Sequence, residues 1–510
     1  MKVLTASQMG AVDRATIESG MPGIVLMENA AHRSVEYIAG KFAPVSAQRI
    51  VVVCGKGNNG GDGLAVARQL YTRFHPRELR VVLTCDPCDL RGDAALNLAM
   101  LHACGLQEYR DFGPEMRTAT LVVDAVLGTG LSGPARGDAL SAILEINRAF
   151  PFAKVLSIDI PSGLAGDSGA IPGEYVRADA TVTFTAPKVC HAMPPAANLM
   201  GDLRIAPIGS PPALYDDDAS VQLSLITPAS IAGIFAPRVK DGNKGKYGHV
   251  LVVAGSRGKS GAAAMAGLAA LRAGAGLVTV ACPESVLSSV AAHAPEIMTE
   301  PLPEGDAFSR IVELAEKMTL VAIGPGIGTS DQTRETVLRL FGELSKPMVI
   351  DADALNCLAG REWKAGAALR VLTPHPGEMS RLAGHGIPEI QADRIAAARD
   401  FAAARNVTLV LKGERTLLGF PDGRVWINPT GSPAMATGGT GDILTGMTAG
   451  LVAQFPKDPE RAIAAAVYLH GLSGEFAARH LGEQPVIATD LLRYLPEGIR
   501  GITNVSHPVG

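Results

Sequence analysis

Short apolar runs recur along the chain, each ending in glycine or polar residues and followed by a stretch with helical spacing. Residues 51–54, 79–84, 121–124, 155–159, 179–185 and 203–208 read as strands, because such short apolar runs suit a parallel sheet buried on both faces. Residues 64–71 and 94–103 place apolar side chains at helical spacing between them. The series resumes with strands at 249–254, 277–281, 320–323, 348–351, 371–373 and 407–412. Residues 415–420 and 424–428, joined by Pro421-Asp422-Gly423, read as a hairpin. Between the two series, residues 209–224 hold Pro211-Pro212 and Asp216-Asp217-Asp218 without an apolar period, which marks a linker. The pattern predicts two doubly wound α/β domains, at 1–215 and 227–503, with 216–226 between them. Ligands of such sheets bind at the carboxyl ends of the strands, so the loops there are the places to look for chemistry.

Composition narrows the class. Ala and Gly dominate and aromatics are only 5%, which suits helices packed closely on a sheet. A net charge of −4 argues against nucleic acid as a partner. Residues 261–282 are the most apolar long stretch, but Arg272 sits in the middle, so they read as a buried helix and strand rather than a membrane span. No apolar core follows Met1-Lys2, so no signal peptide is expected. The seven cysteines are odd in number and scattered, the pattern of reduced thiols in a cytoplasm. Cys85-Asp-Pro-Cys88 reads first as a turn at Pro87, with a redox pair as the alternative. A homo-oligomer is expected, the Ala-rich helices being able to pack within or between subunits.

The strongest chemical signal lies at 428–446. Gly438, Gly439 and Gly441 let backbone N–H groups converge on an anion, and Asp442 falls in the first turn of the apolar helix that follows. Donors for a phosphoryl group beside a carboxylate that takes a hydroxyl proton suit phosphoryl transfer to an alcohol. In the first half, Gly55-Lys-Gly-Asn-Asn-Gly-Gly-Asp-Gly63 lies between a strand and a helix and carries its acid, Asp62, inside the loop. Its amides and carboxylate can hold a cation or polar ligand groups; a self-stabilised Asx turn is the structural alternative. Asp124 and Asp159 each end a buried strand and are followed by Gly128-Thr-Gly-Leu-Ser-Gly133 and Pro161-Ser162-Gly163. A bare buried carboxylate is costly, so each needs a partner, water or a metal.

These first-half motifs, with Leu26-Met-Glu-Asn-Ala30, resemble the YjeF N-terminal family of NAD(P)H-hydrate epimerases over about residues 1–215. The resemblance implies a Rossmann-like three-layer domain and a potassium ion held by Asn59, Asp124 and Ser162. It implies contacts to the hydrated dinucleotide from Asn58, Asn59, Gly60, Gly61 and Asp62, from Gly128, Thr129, Gly130, Leu131, Ser132, Gly133 and Pro134, and from Asp159. Asp159 is the expected catalytic base at C6 of the hydrated ring.

The second half offers Ser260-Gly-Ala262, Ile323-Gly-Pro-Gly-Ile-Gly328, Asp351-Ala-Asp353, Thr373-Pro-His375-Pro-Gly-Glu378, Lys412-Gly-Glu-Arg-Thr416 and Tyr468-Leu-His-Gly471. Their order resembles the ribokinase-like fold and, more narrowly, the ADP- or ATP-dependent NAD(P)H-hydrate dehydratases over about residues 225–500. Kinases of this fold usually carry asparagine where His375 stands, so the histidine favours the dehydratase. Ser432 and Ala434 depart from many relatives but only flank the anion loop. The resemblance implies that Ala262, Gly326, His375 and Asp442 contact the hydrated dinucleotide, with Asp442 catalytic. Lys412, Gly413, Glu414, Arg415, Thr416 and Gly441 would contact ADP or ATP, with Mg²⁺ as counter-ion. Together the two resemblances imply a bifunctional enzyme that interconverts R and S hydrates and dehydrates the S form. NADHX and NADPHX both stay open as substrates, since no arginine cluster marks a 2′-phosphate site. The rival reading is a ribokinase-like kinase of a vitamin precursor with a non-catalytic N-terminal binding domain.

Overall fold

The computed structural model describes residues 1–238 and 240–505. They form two compact units, residues 2–221 and Met1 with residue 222 onward.

The first unit is built on seven parallel strands: β1 (Arg49–Cys54), β2 (Glu78–Leu83), β3 (Glu108–Tyr109), β4 (Leu121–Ala125), β5 (Lys154–Ile158), β6 (Ala180–Phe184) and β7 (Asp202–Ala206). Their order is β3-β2-β1-β4-β5-β6-β7, so winding reverses between β1 and β4. Apolar side chains of β1 and β4 feed cores on both faces of the sheet. The loops after β1 and β4 therefore meet at a switch point, where a crevice opens at the strands' carboxyl ends.

The glycine-rich stretch 55–63 is not a loop throughout, because the helix Asn58–Phe74 already begins inside it. The glycines serve close approach rather than a turn. A Cβ on Gly60 would lie 1.8 Å from the Gly55 carbonyl oxygen, and one on Gly63 would lie 2.6 Å from the Ala125 Cβ. Glycine inside a helix costs roughly 1 kcal/mol against alanine, so periodicity alone placed the helix start too late. The close seat on β1 and β4 is what that cost secures.

The second unit carries ten strands: β8 (Leu223–Leu225), β9 (His249–Val253), β10 (Leu277–Pro283), β11 (Met298–Leu302), β12 (Leu320–Ile323), β13 (Met348–Ile350), β14 (Arg370–Leu372), β15 (Thr408–Leu411), β16 (Leu417–Gly419) and β17 (Val425–Ile427). The order is β11-β10-β9-β12-β13-β14-β15-β16-β17-β8. β15, β16 and β17 run antiparallel, which realises the expected hairpin. β8 lies within the expected linker 216–226, yet it pairs parallel with β17 as the edge of the sheet. Pairing across some two hundred residues leaves no local signal. β11, with a half-exposed Met-Thr-Glu-Pro-Leu sequence, also lacks the apolar run that marked its neighbours.

Beneath the anion loop, the helix Thr440–Gln454 is buried from Ile443 to Ala453 and packs on the helix Ser260–Arg272. A Cβ on Gly446 would lie 2.1 Å from the Ala266 carbonyl oxygen and 2.6 Å from the Ala269 Cβ. Overpacking costs about 1–3 kcal/mol and outweighs the roughly 1 kcal/mol that alanine gains over glycine in a helix. Gly446→Ala is therefore expected to lower the urea midpoint of the second unit. Gly261→Ala, where nothing lies within 4 Å of the added carbon, should leave that midpoint unchanged or raise it.

Candidate active sites

At the β1/β4 switch point of the first unit lies a cavity of about 970 Å³. Asn58, Asn59, Asp62, Gly128, Thr129, Gly130, Leu131 and Asp159 line it, as the sequence led one to expect of a single site. Gly60 and Gly61 are seated in the helix packing instead, Gly61 facing Met27 and Ala94. Ser132, Gly133 and Pro134 are not part of the wall, and Pro134 packs toward Gly173.

Under the cavity floor sits Asp124, fully buried in β4. Its carboxylate accepts from Ser157 Oγ at 2.8 Å, Ser162 Oγ at 2.6 Å, Ser162 N at 2.9 Å and Val126 N at 3.3 Å. Burial pushes this carboxyl above its ordinary value, and the bonds from Ser162 and Ser157 hold the shift back. Ser162 Oγ also accepts from Leu127 N at 2.8 Å, and the Leu127 carbonyl accepts from Asn59 Nδ2 at 2.9 Å. That leaves Asn59 Oδ1 buried with no hydrogen-bond partner among the described residues. A buried amide oxygen without a donor is costly. Here it belongs to one hydrogen-bonded chain with a carboxylate and a hydroxyl, and hard oxygens of this kind suit an oxygen-loving cation.

Asp159 follows β5 in the left-handed region, at φ 65°, which is uncommon for a residue with a Cβ. Its N–H donates to Val182 O at 2.8 Å and its carbonyl accepts from His191 Nε2 at 2.9 Å, which holds the turn. Its Oδ1 accepts from Lys188 Nζ at 2.6 Å and Thr183 Oγ1 at 2.9 Å. A Cβ on Gly128 would lie 3.6 Å from Asp159 Oδ2, so that oxygen faces the glycine loop after β4. Burial alone would raise this carboxyl; Lys188, with His191 and Thr183, outweighs it and the net direction is down. Asp62 moves the other way, raised by burial and by the nearby charges of Asp159 and Asp13.

Lys188, His191 and Asp13 carry no motif that the sequence reading used. Lys188 is only 1% exposed, an outlier for lysine that its apolar setting between Pro187 and Val189 could have flagged. Asp13 sits one turn from Met9 and Thr16, on the buried side of the helix Ala6–Glu18, where an acid is out of place.

In the second unit, the loops after β9 and β12 meet at the other switch point. Ser256 Oγ donates to Gly326 O at 2.7 Å, and a Cβ on Gly326 would lie 3.4 Å from the Ala262 Cβ, so these two expected residues adjoin. Asp353 Oδ2 accepts from Gly328 N at 2.9 Å and Lys259 Nζ at 3.1 Å. Beyond β13, buried Asp351 accepts from Lys412 Nζ at 2.8 Å and Thr445 Oγ1 at 2.7 Å. Burial works against both charges, but their mutual attraction wins: Lys412 moves up and Asp351 down. Lys412 also lies 3.7 Å from Glu378, whose carboxyl burial raises. A Cβ on Gly441 would lie 3.6 Å from Lys412 Nζ and 3.8 Å from Asp351 Oδ2, so the anion loop reaches this pair.

His375 caps the helix Pro376–Ala383: its Nδ1 accepts from Gly377 N at 3.0 Å, while Glu378 Oε2 accepts from His375 N at 2.8 Å. The ring is otherwise about half exposed. Arg394 donates to the carbonyls of Leu411, Lys412 and Glu414 and pins the strand end from which 412–416 departs. Gly439, at φ 96°, opens the helix Thr440–Gln454, and His470 Nε2 bonds the Thr440 carbonyl at 2.8 Å. Asp442, in the first turn, has its carboxyl pushed up to about 6 by burial and by the charge of Asp351.

Two doubly wound units, each with a lysine-held aspartate beside glycine-rich loops, define a two-site α/β enzyme. The chain matches the family model described as YjeF-related protein N-terminus over residues 23–190, and that described as NAD(P)H-hydrate dehydratase over residues 250–497. The bifunctional NAD(P)H-hydrate repair enzyme Nnr of Moorella thermoacetica is 43% identical, with 98% of this chain and 97% of that protein covered. The enzyme of the same name from Thermofilum pendens is 37% identical over the same shares. The ADP/ATP-dependent NAD(P)H-hydrate dehydratase of Bacillus subtilis, co-crystallized with ATP/Mg²⁺, is 34% identical with a TM-score of 0.51, covering 55% of this chain and 98% of that one. A ribokinase-like superfamily protein of Enterococcus faecalis is 28% identical with a TM-score of 0.50, over 55% of this chain and 96% of its own. The chain belongs to the family of bifunctional NAD(P)H-hydrate repair enzymes. Its second unit is ribokinase-like and its first Rossmann-like, as the motifs implied.

The raised carboxyl of Asp442 has a cost in stability. With a folded value of about 6 against 3.8 unfolded, its ionisation disfavours the folded state at neutral pH by up to about 3 kcal/mol. Below 3.8 the group is protonated in both states and that cost vanishes. Asp442→Asn is expected to raise the denaturation midpoint at pH 7, with the gain shrinking as pH falls from 6 to below 4 in chemical melts.

Proposed function

We propose that the first unit interconverts the R and S forms of hydrated NADH and NADPH, and that the second dehydrates the S form with an adenine nucleotide. The epimerase is assigned to 1–215 and the dehydratase to 227–503. The fusion is consistent in chemistry, since one unit consumes a single epimer and the other replenishes it. The carrying observation is Asp442: a carboxyl raised to about 6 at the mouth of a glycine-opened helix, beside Lys412. A base tuned near working pH is ionised at pH 7 yet still holds a proton well.

In this reading Asp442 takes the proton of the C6 hydroxyl as that oxygen receives the phosphoryl group. The phosphate then leaves as the ring nitrogen lone pair forms the N1=C6 bond, and loss of the C5 proton to solvent restores the C5=C6 double bond and the reduced nicotinamide. The backbone donors from Gly438 to Gly441 hold the transferring group, while Lys412 to Thr416 and Gly441 hold the nucleotide. ADP as donor would yield AMP and phosphate. Ala262, Gly326 and His375 shape the side that takes the hydrated ring. Asp351, Glu378 and Asp442 outnumber Lys412, which leaves negative charge for a hard cation; Mg²⁺ arriving on the nucleotide phosphates fits there and would neutralise the transferring group.

In the first unit, Asp159 is kept ionised by Lys188, with Oδ2 toward the glycine loop, and acts as base at C6. Asn59 Oδ1, without a partner among the described residues, fits a potassium ion together with Asp124 and Ser162, and the ion would fix the loops after β1 and β4. The seven free cysteines suit a cytoplasmic enzyme, and a homo-oligomer is proposed. Among the described residues, no helix is long and apolar enough to cross a membrane.

The test is recovery of reduced-nicotinamide absorbance from mixed R and S NADHX with Mg²⁺ and either ADP or ATP. No recovery with either nucleotide would sink the proposal. Accumulation of a phosphorylated alcohol instead would favour the kinase. Asp442→Ala should abolish recovery and leave epimer exchange intact; Asp159→Ala should leave only the S portion rapidly recoverable. For the cation, replacing K⁺ by Li⁺, or Asn59 by Ala, should slow exchange at least tenfold while dehydration of purified S hydrate is unchanged. Exchange indifferent to both changes would rule the potassium site out.

A further inference from the structure

Inversion at C6 needs more than a base, and this inference rests on the epimerase reading above. The C6–O bond must break, and hydroxide leaves poorly unless it is protonated. A water must then enter from the opposite face and lose a proton. Asp159, held ionised, can take that proton, but something else must supply the first one.

The basic groups beside Asp159 are already committed. An ammonium has three N–H donors. Those of Lys188 serve Asp159 Oδ1 at 2.6 Å, Thr183 Oγ1 at 2.9 Å and Phe184 O at 3.1 Å. His191 accepts from Lys188 N on Nδ1 at 2.9 Å and bonds Asp159 O through Nε2 at 2.9 Å, so neither ring nitrogen is free. Asp13 differs. It lines the same cavity, and its Oδ1 is buried without a hydrogen-bond partner among the described residues. It reaches the cavity from the helix Ala6–Glu18, which precedes the stretch matched by the first family model.

We propose that Asp13 is the catalytic acid of this cavity, paired with Asp159 as base. The ring nitrogen lone pair forms the N1=C6 bond, the C6–O bond breaks, and the Asp13 proton goes to the departing oxygen, releasing water. A water then bonds C6 from the other face, the π electrons return to N1, and Asp159 takes the proton. One proton has moved from Asp13 to Asp159, and solvent exchange resets the pair. No oxidant or further reactant is needed. Lys188, Asp159 and Asp62 are the titratable groups that interact with Asp13 across the cavity, with Arg14 beside it on its own helix. Burial dominates this setting and favours the neutral acid that the step requires.

The experiment uses the full chain and follows R–S exchange of NADHX from pH 5 to 9. Asp13→Asn should slow exchange by about 100-fold or more and remove the alkaline fall in rate that marks loss of an acid. Dehydration of S hydrate should stay normal, which shows that the second unit is intact. Asp13→Glu should restore at least tenfold over Asn, with a displaced alkaline limb. Exchange in ¹⁸O water should place solvent oxygen on C6. An Asn variant that keeps the alkaline limb, a Glu variant no better than Asn, or inversion without ¹⁸O would each overturn the assignment. Absence of exchange in the unmodified protein would instead remove the epimerase reading beneath it.

Discussion

A largely buried aspartate bound to a single, largely buried lysine organises each unit of this protein. In the first, Lys188 holds Asp159 at 2.6 Å; in the second, Lys412 holds Asp351 at 2.8 Å. Neither charge could stay in the interior alone, and each pair is stable only because side-chain and backbone groups take up its remaining hydrogen bonds. The consequence reaches beyond the pair. Burial raises the other carboxyls nearby, and the lysine, bound to one carboxylate, offsets that rise only in part. Asp13 and Asp62 move up around Lys188–Asp159, and Asp442 and Glu378 move up around Lys412–Asp351. Carboxyls driven in opposite directions within one site are what acid–base chemistry at neutral pH requires.

Small residues bring these charges together. Gly60 and Gly63 let the helix Asn58–Phe74 settle on β1 and β4, so Asn59 and Asp62 reach the switch point. Gly446 and Gly450 let the helix Thr440–Gln454 lie against backbone carbonyls of the helix Ser260–Arg272, beneath the anion loop. A protein with few aromatics gains its packing from such contacts, where dispersion is strong because backbones nearly touch. His470 and Arg394 complete the arrangement by fixing carbonyls at the start of the helix Thr440–Gln454 and at the end of β15.

Much of this was legible in the chain. Strand-end aspartates 124, 159, 351 and 353, the glycine-opened helix at Asp442 and Lys412 are local features, because a strand's end and the following loop are contiguous in sequence. The part that was not legible has two causes. Helix starts built on glycine defeat propensity, as at Asn58, and short strands such as β8 exist only through a distant partner. A residue such as Asp13 or Lys188 stands out in sequence only as a charge in an apolar setting, and its role waits until the fold decides what it faces.

The sequence by itself determined the two α/β series, the order of their loops and the family resemblance, since alternating apolar runs and glycine motifs are read within a few residues of one another. Only the tertiary structure decided which groups are charged and which are free. Protonation depends on burial and on neighbours brought from far along the chain. That is why Lys188 is consumed by Asp159, Asn59 Oδ1 has no donor among the described residues, and Asp13 remains available for a proton.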